Sequence, residues 1–145
     1  YVMAPVITTV YETAIVPYNN GAITQKEAFS IGTEPFHAFM LKQVNDGDVE
    51  LFLEFSNRDV QADEKVPLYV LIPAFIISEL KSAFQIAFLI YLPFVVVDLL
   101  ISNILLTLGM FMLSPAMVSM PFKFLLFILV DGWNLIVRGL LLSYQ

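Results

Sequence analysis

An all-α membrane protein, with a small helical domain ahead of a long bent helical hairpin, is the fold class this sequence predicts. Three observations carry that reading: an excess of apolar residues, a sharp asymmetry of charge, and the positions of proline and glycine. Hydrophobic residues make up 59% of the 145 and charged residues 14%, against roughly 45–50% and about 25% in soluble domains. One small core cannot hold that excess, so lipid or packed partner helices must cover it.

The charge divides the chain. Every acid but Glu79, Asp98 and Asp131 lies in residues 1–66, as does every base but Lys81, Lys123 and Arg138. The net charge of −6 therefore belongs to the first part. That marks residues 1–66 as a solvated acidic domain and 67–145 as an apolar hairpin. An acidic surface repels nucleic acid, which excludes that partner class. The absence of cysteine removes disulfides and thiolate metal sites, and fits an oxidising surrounding. The chain starts at Tyr1 with no basic segment leading into an apolar run, so its start reads as internal to a longer protein.

The elements follow in order. Ile7–Val16 is apolar enough to be helix, broken by Pro17-Tyr18-Asn19-Asn20-Gly21. Thr24-Gln25-Lys26-Glu27 has the pattern of a capping box and opens a short helix to about Ile31. Thr33 then caps a second helix, with Pro35 in its first turn. Asn45-Asp46-Gly47 is a turn, and Asp48 caps a helix through Phe55. Ser56–Val66 is polar and reads as a linker.

Pro73–Leu108 is nearly continuous apolar helix, interrupted at Pro93. Gly109 to Pro115 is a break with a Met/Phe tip, and Ala116–Leu142 resumes the helix with a kink near Pro121. The arms would be roughly 50 and 40 Å long at 1.5 Å per residue. Both exceed the roughly 30 Å of hydrocarbon, so they bend, tilt, or run partly inside protein. Inside lipid the backbone must satisfy itself, which demands helices rather than strands.

Two stretches carry a family resemblance. Pro73-Ala74-Phe75-Ile76-Ile77-Ser78-Glu79-Leu80-Lys81-Ser82-Ala83-Phe84-Gln85-Ile86 is the first, and Pro121-Phe122-Lys123 through Val130-Asp131-Gly132-Trp133 is the second. Between them stand Pro93-Phe94, Asp98-Leu99 and Leu108-Gly109-Met110. The pattern resembles the FliP family of the bacterial flagellar type III export gate, along the whole chain. The related injectisome proteins of the SctR branch share these motifs. Ala87 stands where the family usually has Gly, Phe124 where it has Leu, and Met110-Phe111-Met112 where it has three methionines.

The resemblance implies a homo-oligomeric ring assembled with FliQ and FliR type subunits and other export apparatus proteins in the inner membrane. That ring admits unfolded exported proteins, uses no cofactor and does not hydrolyse ATP. It also implies two more N-terminal transmembrane segments, with Tyr1–Pro5 the tail of the second, and an extracytoplasmic place for residues 1–66.

Candidate site residues follow. Met110, Phe111 and Met112 form a pore or gate group, since flexible thioethers close around any sequence; the plainer alternative is a loop packed on neighbours. Glu79 and Lys81 lie on different helix faces, and Lys81 shares one with Gln85. They suit either a solvated helix start or an inter-subunit pair, Glu79 of one copy meeting Lys81 of the next. Asp98 is the lone charge from Ser82 to Phe122, and an ionisable group at that depth needs a reason. A proton relay is one option. A structural partner for Lys123 or a neighbouring subunit is favoured, because no other titratable group lies close in sequence. Asp131, Asn134 and Arg138 form a polar stripe suited to hydrogen bonds between helices. Trp133 suits packing or an interface, and His37 surface or core. No nucleophile–base, zinc-protease or phosphate-loop motif points to an enzyme. A free-standing channel would need more polar residues along its helices.

Overall fold

The computed structural model describes residues 1–56 and 65–144. Among them every regular element is helical and no strand occurs. Most of the linker expected across Ser56–Val66 lies outside the described residues. The chain divides into two compact units, Tyr1–Ser82 and Ala83–Gln145.

The first unit opens with α1 (Ala4–Val10), a π-helical turn (Tyr11–Ile15) and α2 (Val16–Asn19) in one unbroken run. The break expected across Pro17-Tyr18-Asn19-Asn20-Gly21 falls at the far end of that stretch, and Pro17 itself is helical. The Val16 N–H reaches the Tyr11 carbonyl, and this wider turn accommodates the proline that follows, whose ring would otherwise press on the preceding turn. The run stops at Gly21. There the Gly21 and Ala22 N–H groups return to the Tyr18 and Pro17 carbonyls at 3.0 and 2.9 Å.

The capping box forms. Thr24 N–H donates to the Glu27 carboxylate at 2.8 Å, and Thr24 Oγ1 accepts from the Glu27 N–H. The helix it opens, α3 (Gln25–Gln43), does not end at Ile31. Thr33 caps nothing; its hydroxyl donates to the Ser30 carbonyl at 3.0 Å. Pro35 forfeits one backbone bond without stopping the helix, because α3 is held along its length. At Gly32 an added Cβ would lie 3.4 Å from Ala14, so α3 closes against the π-helical turn.

Asn45 caps α4 (Asp46–Phe55), its side chain accepting from the Gly47 N–H at 3.0 Å. The cap is thus Asn45 rather than Asp48. Val44, Val49, Leu71 and Ala74 form the core, with Phe39 edge-on to Phe75 at 6.1 Å. His37 is buried, and its Nε2 lies 2.7 Å from the Val66 carbonyl. A carbonyl only accepts, so that nitrogen carries the proton. Two of the core residues come from α5 (Leu68–Thr107). Charge places a boundary at residue 66, whereas packing places it at Ser82.

In the second unit α5 runs on through Pro93 without the expected interruption. A proline removes one donor and crowds the carbonyl four residues back, which bends a helix more readily than it ends one when every other bond is kept. Helix α6 (Pro115–Leu129) likewise passes through Pro121. The bend falls later, with α7 (Gly132–Ser143) turned 58° from α6. Asp131 makes it, at φ 51° and ψ 53°, a left-handed conformation that among side-chain-bearing residues Asn and Asp tolerate best. Gly132 follows because a Cβ there would lie 2.2 Å from the Phe127 ring. Trp133 stands edge-on to the same ring at 5.4 Å. Helix α5 is long and apolar enough to cross a membrane; α6 and α7 reach that only as a bent pair.

Candidate pore tip and polar clusters

The tip begins where α5 stops. The Gly109 N–H returns to the Leu106 carbonyl at 3.1 Å and the Met110 N–H to Leu105 at 2.9 Å, with Gly109 at φ +72°. This pair of bonds is a Schellman cap, and it needs a left-handed residue at the glycine. Helix α6 starts at Pro115, after Ser114 in an extended conformation. Between the two ends Met110 is 47% exposed, Phe111 77% and Met112 99%. So much apolar surface in one chain calls for lipid or protein to cover it.

A polar cluster joins α4 to the start of α5. Asp48, only 3% exposed, accepts from the Ser78 hydroxyl at 2.8 Å and from the Lys81 ammonium. Ser78 Oγ in turn accepts the Asn45 N–H at 2.9 Å. The Lys81 and Ser78 bonds hold the Asp48 carboxyl below its usual range. Lys81 thus has an acceptor inside its own chain, which local spacing does not reveal. The visible signal was that Ser78 and Lys81, three apart, share a face. Glu79 is half-buried and Gln85 exposed.

A depressed carboxyl pKa fixes the sign of a pH effect. The folded state favours the ionised form, so its contribution is complete above the ordinary carboxylate range near 3.9. It is lost as pH falls through the lower folded value. Asp48→Asn is expected to lower the unfolding temperature at pH 7 and to flatten its decline into acid. Thermal unfolding of the purified protein at pH 7, 5 and 3 checks this; parallel curves for both proteins would exclude the role.

A second cluster joins α5 to α6. Lys123 Nζ donates to Asp98 Oδ2 at 2.6 Å, and the Ser119 hydroxyl donates to Oδ1. Ser119 is fully buried. It lies one turn before Lys123, and sequence reasoning missed it. Asp131 is not part of a continuous stripe. It sits in the bend, where its carbonyl accepts the Asn134 and Leu135 N–H groups at 3.0 and 3.2 Å, leaving Asn134 and Arg138 on α7, both exposed. An apolar cavity of about 380 Å³, lined by Phe94, Phe127 and Gly139 among others, opens between α5 and the bent pair. Among the described residues no group of three or more His, Asp or Glu side chains could hold a metal ion.

The FliP family profile matches residues 1–140. The chain is 43% identical over 145 residues to the flagellar biosynthetic protein FliP of Pectobacterium carotovorum subsp. carotovorum, covering 99% of this chain and 56% of that protein. It is 43% identical over 145 residues to the protein of that name from Bacillus subtilis, covering 99% and 66%. For the Borreliella burgdorferi protein the figures are 43% over 149 residues, covering 100% and 59%. The chain therefore spans a little over half to two thirds of these relatives.

Proposed function

Because the chain belongs to the FliP family, we propose that it is part of a structural, non-enzymatic subunit of the flagellar type III protein export gate. Several copies form a ring with FliQ and FliR type subunits in the bacterial inner membrane, with residues 1–66 outside the cytoplasm. The ring admits unfolded exported proteins. The observation that carries this reading beyond the family is the exposed apolar tip, Met110–Met112, held between a glycine cap and Pro115. In a ring those tips converge and seal the pore at rest. Thioethers adapt to a passing chain and then close against ions.

The remaining surface suits neighbours and lipid. The cavity beside α7 and the apolar faces of α5 and α6 need cover. Glu79, Lys81, Gln85, Asp131 and Arg138 supply polar contacts between copies. The equivalent injectisome subunit is the second reading, and the flagellar names of the relatives weigh against it. Deleting the gene separates the two: hook and filament proteins are retained in one case, effectors in the other.

The tip is tested by replacing Met110, Phe111 and Met112 with Ala together. The expected result is a gate that assembles normally but leaks small ions, while secretion persists through the wider hole. Membrane conductance is measured beside wild type, with assembly checked on the same samples. Equal conductance with intact assembly would place the seal elsewhere.

A further inference from the structure

The direction of the tip is set by backbone at its two ends. Where the chain enters α6, Ser114 is extended (φ −71°, ψ 118°) and makes no side-chain cap bond; the following Pro115 disfavours the helical region for it. Inside the loop the Leu113 N–H reaches the Met110 carbonyl only at 3.4 Å, a long bond that holds little. Where the chain leaves α5, the two Schellman bonds and the φ of +72° at Gly109 fix its path. A Cβ built on Gly109 would meet nothing within 4 Å. Space therefore does not require glycine here; the left-handed backbone does.

We infer that Gly109 is a positioning residue for the seal: its left-handed conformation aims Met110, Phe111 and Met112 away from α5. The inference rests on the proposed sealing role of the tip, and names the residue that orients it. A side chain that resists this conformation swings the tip, whatever its size. Asparagine adopts the left-handed region far more readily than valine or alanine. Size and backbone preference thus order Asn and Ala oppositely, because Asn is larger than Ala yet fits better.

These 145 residues contain no cysteine, so Met112→Cys places one thiol at the tip as a reporter of where it points, and the intact gene with Met112 kept gives the background from any cysteine elsewhere. The intact gene carries Met112→Cys with Gly, Asn, Ala or Val at position 109. Assembled gates in membranes are treated with a short thiol-to-thiol crosslinker, and the yield of coupled neighbouring copies is read. Strong coupling is expected with Gly and Asn, several-fold less with Ala, and least with Val, at equal assembly. Equal coupling across the set, or Asn coupling as poorly as Val, overturns the inference. So does failure of all three variants to assemble, since the glycine would then serve packing. Absence of coupling even with Gly109 instead rejects the convergence of tips on which the proposed function depends.

Discussion

Asp98→Leu is expected to remove most of the assembled complex, whereas Asp98→Asn retains most of it. The carboxylate receives the Lys123 ammonium and the Ser119 hydroxyl, and the surrounding faces of α5 and α6 are apolar. Leucine leaves the Lys123 ammonium without its acceptor in apolar surroundings, and leaves the Ser119 hydroxyl only its 3.2 Å bond to the Ala116 carbonyl. Breaking one partner of such a pair costs more than never having it. Asparagine keeps the size and one acceptor oxygen. Asp98→Leu combined with Lys123→Met is accordingly expected to assemble better than Asp98→Leu alone, because neither partner is then stranded. The fraction of chain recovered in the complex decides between these outcomes. If the double variant is no better than the single one, the pair does not act as a unit. If Asp98→Asn assembles normally yet stops export, the carboxyl serves as a proton relay.

Leu71→Ala is expected to destabilise the first unit by about 2–5 kcal/mol, the range for emptying a well-packed leucine site. Leu71 is completely buried among Val44, Val49 and Ala74, with Phe52 and Phe75 around them. In a unit of 82 residues, each kcal/mol lowers the unfolding temperature by about 4–8 °C. Ile72→Ala, next in sequence but exposed, is expected to change it little. Thermal unfolding of both variants, followed by limited proteolysis within residues 1–82, provides the check. Matching losses at Leu71 and Ile72 would rule out a core at this place.

What the sequence made legible is what its neighbours decide. Thr24 and Glu27 stand three apart and form their box. Asn45-Asp46-Gly47 marks a boundary, but Asp46 and Gly47 open α4 rather than forming the expected turn. The all-α class follows from apolar runs too long and too even for strands. Proline misled local reasoning because each proline forfeits one bond while several others hold the helix. Pro17, Pro35, Pro93 and Pro121 all lie within helical runs. The real bend lies at Asp131-Gly132, a turn dipeptide concealed in an apolar stretch. Its need becomes visible only when the Phe127 ring is seen over the glycine. The polar clusters were half legible. Asp98 and Lys123 stood out as lone charges in an apolar region, but Asp48 reaches Ser78 across 30 positions. No local pattern distinguishes such a residue from a helix cap.

The sharing of Leu71 and Ala74 between an acidic domain's core and a membrane-length helix bears on synthesis. When the ribosome has released the chain only as far as Val66, Val44 and Val49 lack Leu71 and Ala74 and have only neighbours such as Met40, Phe52 and Leu53 against them. The domain cannot close until the opening turns of α5 emerge, and those same turns lead directly into the stretch that enters lipid. Maturation of the water-facing part and commitment of the helix to the bilayer are therefore tied to one length of nascent chain. A pause within it leaves both unfinished.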